Sequence, residues 1–282
     1  MYFVTSLANQ IGYKSIKTYL FGIQFHMVQG GHQCNLSEMQ LLYYTLRGIR
    51  RTQGTTHNRP KRLPVTTHHL LHIKQYLANS AHNSHNKRLL WAAVTIAFFG
   101  LLRVSEYTAQ HVSDYDPSST LLITDVTFDS TLSCASITLR ASKTDPFRQG
   151  CCVRIGATGN ALCPVSALWH FRHWCHHQAG PLFTFADGSF LTRHRIAALF
   201  TECLPSINLS THSLRIGGAS ALASAGHSDS SIMLLGRWTS SCFQRYLRIS
   251  DSTIRKASCD MARAVVYSHI WDASCLTATP NR

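Results

Sequence analysis

Thr211-His212-Ser213-Leu214-Arg215-Ile216-Gly217-Gly218-Ala219-Ser220-Ala221 is the stretch from which the rest of the chain can be read. Ser210 or Thr211 can cap a helix whose first turn holds His212 and Arg215 three residues apart on one face. A helix N-terminus adds a partial positive charge and unpaired N–H groups. An imidazole beside a guanidinium at that place makes a natural phosphate site. The arginine clamps two oxygens, and the histidine gives or takes a proton near neutral pH. Gly217-Gly218-Ala219 then lets the helix pack closely on a neighbour. Taken alone, His-x-x-Arg is common on protein surfaces, so its meaning depends on what surrounds it.

Downstream stand Leu234-Leu235-Gly236-Arg237-Trp238 and Phe243-Gln244-Arg245-Tyr246-Leu247-Arg248. Upstream stand Gly100-Leu101-Leu102-Arg103-Val104-Ser105-Glu106 and Ser142-Lys143-Thr144-Asp145. The periodicity around these motifs is mostly helical. Apolar spacing predicts helices over 13–28, from Ser37 through Arg47, Arg50 and Arg51, and over 66–79, 86–101 and 104–110. Ser37 reads as the N-cap of its helix. Further helices follow at 164–178, 192–203, 211–225, 229–235 and 240–248, with Gly226 a C-cap, and a last one is expected over 252–267. Between them the period changes. Leu121–Ile123, Val126–Phe128, Ala135–Leu139 and Cys151–Ile155 read as short strands of a small antiparallel sheet. Residues 52–64 read as a polar linker. The expected fold is therefore mainly α with a small antiparallel β-sheet: a helical module over 1–62 and a larger mixed α/β domain over 63–282.

The order Arg, Lys, His-x-x-Arg, Trp, Tyr in this chain resembles the tyrosine recombinase (phage integrase) family. It looks closest to the branch carried by eukaryotic transposons and retrotransposons. The likeness is strongest between 95 and 250. It is weaker through 13–51, where Tyr19-Leu20-x-Gly22-Ile23 and Leu46-Arg47-Gly48-Ile49-Arg50 look like the helical, SAM-like core-binding module. By position the resemblance implies that Arg103 is the first catalytic arginine and Lys143 the lysine of the β-hairpin. It makes His212 and Arg215 the His-x-x-Arg pair, Trp238 the residue that is His or Trp in the family, and Tyr246 the nucleophile. Trp238 stands eight residues before Tyr246, where the family pattern commonly has nine. The resemblance also implies a further helix ahead of Tyr2, so the first module reads as shortened.

The chemistry accounts for these residue types. Attack on a phosphodiester builds negative charge on the non-bridging oxygens, which Arg103 and Arg215 can neutralise from two sides. A phenol, with a reference pKa of about 10, needs a base and a cationic field to attack. His212 is the candidate base for Tyr246, and Lys143 the candidate acid for the departing 5′ oxygen. Trp238 can donate its indole N–H to a phosphate oxygen. Glu106 reads as an orienting partner of Arg103. The implied 3′-phosphotyrosyl link keeps the bond energy, so no ATP, metal or other cofactor is expected.

Composition points the same way. The 282 residues carry 27 Lys and Arg against 13 Asp and Glu, a formal charge of +14, which suits a polyanionic partner. Arg47, Arg50, Arg51, Lys61 and Arg62 are the candidate backbone-tracking cations. The longest apolar run, 89–102, is shorter than the roughly 18 residues a membrane span needs. The N-terminus lacks a signal-peptide pattern. No P-loop or dinucleotide fingerprint is present. The 10 cysteines are scattered and read as reduced thiols, with Cys151-Cys152 a strand feature. His170, His173, Cys175, His176 and His177 crowd one predicted helix. His173 and His177 could share a metal, but a basic exposed face is the simpler reading. The expected partner is double-stranded DNA, met by a homo-tetramer, with no membrane and no small-molecule substrate. Residence in the nucleus follows from the mobile-element resemblance. Two rivals remain open: a catalytically inactive DNA-binding relic of such an element, and a type IB topoisomerase-like enzyme.

Overall fold

The computed structural model describes residues 2–56, 62–142, 145, 147–175, 177–240, 244, 247, 254–255 and 259–261, without the side chains of 55 and 56. The fold is mainly α with one small antiparallel sheet. The chain divides into two units, Met1–Lys61 and Arg62–Arg282.

In the first unit α1 (Tyr2–Ala8), α2 (Tyr13–Gln29) and α3 (Gln40–Thr56) close around Val4, Ile16, Leu20 and Leu42. On α2, Ile16 and Leu20 are buried, whereas Tyr19 and Ile23 face out. The Gln53 side chain joins all three helices. Its amide donates to Ala8 O at 2.8 Å and Ile11 O at 3.0 Å, and its Oε1 accepts from Tyr13 N–H at 2.6 Å. It therefore satisfies groups that helix ends leave unpaired. Two sequence expectations fail here. Ser37 is not an N-cap: it lies in a 3-10 turn, Leu36–Glu38, and its own N–H donates to Asn35 Oδ1 at 3.2 Å. The linker also begins later than position 52, because α3 continues through Thr56 with Gln53 anchored on its inner side.

The second unit is built on α5 (Ser84–Phe99). Leu89, Leu90 and Ala92 through Phe98 are all buried, as expected of a helix apolar on every side. Asn83 caps it by accepting from Asn86 N–H at 2.8 Å. Around it pack α4 (Thr67–Asn79), α7 (Pro164–His173) and α9 (Ser213–Ser224). The short α6 (Val104–Tyr107), α8 (Arg193–Cys203) and α10 (Asp229–Gly236) complete the helices. The sheet runs β1 (Val126–Phe128), β2 (Cys134–Leu139), β3 (Cys151–Gly156), antiparallel in that order. Val126, Ile137 and Val153 stand opposite one another and turn inward. The hairpin joining β2 to β3 contains position 143.

Three predicted elements end differently, each because a side chain or a bridge redirects the backbone. Leu121–Ile123 is not a strand. Asp125 accepts from Leu122 N–H at 2.8 Å and pairs with Arg140 at 2.6 Å, which curls 123–125 into a 3-10 turn. The helix predicted to 110 stops at Tyr107, since Ala109 N–H is taken by Leu191 O at 2.9 Å. The helix predicted to 178 stops at His173. Beyond it His177 Nε2 lies 3.1 Å from Pro181 O, and Cys175 Sγ lies 2.8 Å from His177 Nδ1. If Nε2 donates to that carbonyl, Nδ1 accepts from the thiol. His173 and His177 therefore do not share a helix face. Among the described residues no group of three or more metal-ligating side chains converges. The helices expected over 240–248 and 252–267 lie largely outside the described residues.

Candidate active site

The site forms where the C-terminal end of α5 meets the start of α9. At the end of α5, Gly100 returns its N–H to Ile96 O at 2.8 Å, and a Cβ there would stand 2.7 Å from that same oxygen. Leu101 follows with a positive φ of 48°. This turn leaves the carbonyls of Gly100 and Leu101 at the negative end of a buried helix, where cations are favoured. Two arginines take them. Arg215 Nη1 donates to Leu101 O at 2.5 Å. Arg237 donates to Gly100 O at 3.2 Å and to Leu101 O at 3.3 Å.

Arg103 opens α6 rather than ending α5. Its backbone N–H and its Nη1 both donate to Glu106, each at 2.8 Å, and Nη1 also reaches Ser142 Oγ at 3.4 Å. Ser142 precedes Lys143 in sequence, so the base of the hairpin lies beside Arg103. Glu106 has 1% of its side chain exposed, and its other oxygen accepts from Arg237 Nη2 at 2.9 Å. One buried carboxylate thus holds two arginines.

Two glycines set the position of α9. A Cβ on Gly217 would lie 1.9 Å from Val65 O, and one on Gly218 would lie 2.3 Å from Phe98 O. The close packing expected from this pair is what the structure has, with Val65 N–H donating to Ser213 O at 2.9 Å. The cap differs from expectation. Neither Ser210 nor Thr211 caps α9; His212 occupies the cap position in helical conformation, with no side-chain cap hydrogen bond. Ser213 Oγ instead accepts from Ser210 N–H at 3.0 Å.

Arg215 is 1% exposed. Besides Leu101 O it donates to Gly236 O, and its guanidinium lies 4.5 Å from the centre of the Trp238 ring. Trp238 is therefore a cation–π partner of Arg215 inside a small cluster with Leu101, Ala219 and Ile232. Gly236 makes room for it, since a Cβ there would fall 1.8 Å from the ring. His212 has its pKa pushed down to about 4, first by burial and then by the charges of Arg215, Arg62 and Arg103. At neutral pH it is a neutral imidazole surrounded by arginines, able to accept a proton.

The structure thus brings together Arg103, His212, Arg215 and Trp238. Arg62 is exposed but near enough for its charge to act on His212. Lys143, Tyr246 and Lys61 lie outside the described residues. Of the neighbours of Tyr246, Gln244 Nε2 donates to Asp229 Oδ2 at 2.9 Å, and Leu247 packs against the Trp238 cluster. Arg47, Arg50 and Arg51 are all exposed on α3, in the first unit. The sequence reading passed over Arg237. The signal that could have found it is spacing: Arg237, not Trp238, stands nine residues before Tyr246.

No family model and no curated protein matches this chain. Solved structures do. One is the integrase of transposon Tn1549 in complex with circular intermediate DNA, with a TM-score of 0.54 at 14% identity, over 91% of this chain and 82% of that one. Another is the XerH site-specific recombinase in a post-cleavage complex with its palindromic difH substrate, with a TM-score of 0.52 at 15% identity. That match takes in 72% of this chain and 54% of the XerH chain, so this chain spans about half the length of that recombinase. At these identities what is shared is the fold, and the fold is that of the tyrosine recombinases.

Proposed function

We propose that this chain cleaves and rejoins duplex DNA through a covalent 3′-phosphotyrosyl intermediate on Tyr246. The observation that carries the reading is the convergence of Arg103, Arg215 and a neutral His212 on one turn of a recombinase fold. Tyr246 Oη attacks the phosphorus and His212 takes its proton. The P–O5′ bond breaks, and Lys143 protonates the leaving 5′ oxygen. Reversal with a different 5′-hydroxyl exchanges strands without external energy. Arg103 and Arg215 meet the charge that grows on the non-bridging oxygens. An approaching phosphate would also raise the pKa of His212 and strengthen it as a base at the moment of reaction.

The finer reading follows the sequence resemblance: an integrase or excisionase of a eukaryotic mobile element, working in the nucleus as a homo-tetramer on DNA. The first unit and Arg47, Arg50, Arg51, Lys61 and Arg62 are assigned to the DNA backbone. One observation favours the rival reading of a DNA-binding relic: Arg215 is 1% exposed and committed to two carbonyls. Covalent trapping separates the two. Wild-type protein mixed with a randomised pool of nicked duplexes should give SDS-resistant adducts that disappear with Tyr246→Phe. Binding without adducts in the wild type would leave the relic. Relaxation of supercoils by a monomer, with no strand exchange between duplexes, would assign the topoisomerase-like activity instead.

A further inference from the structure

Arg237 has no role in the assignment above, yet its setting is that of a working residue. It adopts the left-handed backbone conformation, φ 55° and ψ 46°, where α10 ends. Glycine takes that conformation without strain and arginine does not. Gly236, one position earlier, is needed for a different reason, to admit the Trp238 ring. The strain at Arg237 aims a long cation back at the α5–α6 turn, where it reaches Gly100 O, Leu101 O and Glu106 Oε2. Its charge also acts on Cys151, the first residue of β3, which leaves the Lys143 hairpin. The guanidinium therefore stands at the Arg103 turn, near enough to the start of β3 for its charge to act there. Its side chain is 16% exposed, but its Nε–H is buried and has no hydrogen-bond partner among the described residues. A buried charged donor left unpaired is costly, so this guanidinium carries hydrogen-bonding capacity that its described contacts do not use.

Charge balance points the same way. A single carboxylate, Glu106, serves both Arg103 and Arg237. Arg215 has carbonyls and an indole face for partners in the contacts described above. Asp145, the other acid near the hairpin, accepts from Gly150 N–H at 2.7 Å. Among the described residues the site thus sets Arg103 and Arg237 against one shared carboxylate, a setting suited to a phosphate.

We propose that Arg237 is a further catalytic residue, donating to a non-bridging oxygen of the attacked DNA phosphate while Glu106 holds it in line with Arg103. This rests on the strand-transfer reading given above. Trp238 then acts behind it, as a positioning residue that fixes Arg215 by stacking. The three arginines differ in setting. Arg215 is held by carbonyls and the indole face, and Arg103 and Arg237 are joined through one carboxylate.

The test uses the full chain as wild type, Arg237→Gln and Arg237→Lys, with thermal unfolding to confirm that each is folded. On the site identified by adduct sequencing, Arg237→Gln should slow adduct formation about 100-fold or more, the scale seen when one preorganised donor to a developing oxyanion is lost. Arg237→Lys should recover part of the rate. With a methylphosphonate at the cleaved position, which removes the oxygen charge, the Gln defect should shrink to within about ten-fold. An equal defect on both substrates would overturn the inference and leave Arg237 a brace for Glu106. If the wild type forms no adduct anywhere, the strand-transfer reading fails by itself, and phosphate contact is read from binding. The slope of log K against log salt for duplex DNA should then fall by about 0.9 in Arg237→Gln, as for one lost phosphate contact. An unchanged slope and affinity would overturn the contact as well.

Discussion

Arg215 and Arg50 carry the same charge in opposite circumstances. Arg215 is 1% exposed, holds two carbonyls and lies against an indole ring. Arg50 is exposed on α3, with its guanidinium 6.0 Å from the centre of the Tyr13 ring. Around the α5–α6 turn the protein has desolvated its arginines and fixed each by geometry. Along α3 it has left them in water. A desolvated cation loses hydration that only a well-placed partner can return, so it is informative about one position in space. A solvated cation loses little and attracts any phosphate within a Debye length. The first arrangement suits chemistry at one phosphorus, and the second suits holding a polyanion regardless of its sequence.

The largest way to break this contrast is truncation of Arg215. Arg215→Ala leaves Leu101 O without its shortest donor, strands Gly236 O and uncovers the Trp238 face. The expected loss is about 3 kcal/mol or more in denaturant unfolding, from two charged hydrogen bonds in a buried place. Arg50→Ala should stay within about 0.5 kcal/mol. Equal small losses at both would mean that the buried cluster is not held as described.

Next come the glycines that let the site close. Gly236→Ala would put a methyl 1.8 Å from the Trp238 ring, and Gly217→Ala would put one 1.9 Å from Val65 O. Each should destabilise by about 1–3 kcal/mol through overpacking, with Gly217 at the upper end because backbone yields less than a ring. Gly22, with nothing within 4 Å on α2, is the control. Gly22→Ala should raise stability by about 1 kcal/mol from helix propensity alone. A thermal unfolding series decides all three, and a neutral Gly217→Ala would remove the packing account of α9.

A smaller effect concerns pH. His212 has a folded pKa of about 4, below the ordinary histidine value of 6.5. Between these values the unfolded chain binds more protons at this position than the folded one, so stability rises with pH there. The His212 contribution is present above about pH 6.5 and is lost as pH falls toward 4. Denaturation midpoints should therefore fall across that window in wild type and fall less in His212→Gln. Adduct formation should show an acid limb that lies above pH 4, because bound phosphate raises the imidazole pKa. A His212→Gln curve parallel to wild type would contradict the burial of this group among arginines.

These outcomes also bear on what was readable from sequence. Hydrophobic period gave α4, α5, α8 and α10 to within two residues, because each has a continuous apolar face and a capping Thr, Asn or Ser. It failed where a single side chain redirects the backbone. Asp125 turns 123–125 away from the sheet, and nothing in Leu121-Leu122-Ile123 announces a carboxylate two residues on that pairs with Arg140. Likewise α7 ends without glycine or proline, in a Cys175–His177–Pro181 chain of contacts. At the site, residue order was enough to single out Arg103, His212 and Arg215, which the fold brings together. The partner of Trp238 and the reach of Arg237 were not legible. Both depend on a left-handed turn at a residue that is not glycine, and local composition does not signal that choice.

The finest test addresses the solvated side of the contrast. Arg47, Arg50 and Arg51 share one helix of the first unit and are all exposed. If they only track the backbone, each alanine substitution should weaken duplex binding by a similar factor on every sequence. Each should lower the salt slope by about 0.9 and leave the rate of adduct formation at saturating DNA unchanged. A substitution that instead altered the preferred sequence without changing the slope would show a base contact from α3. The first unit would then carry part of the site selection, and the division between fixed arginines for chemistry and solvated arginines for affinity would have to be redrawn.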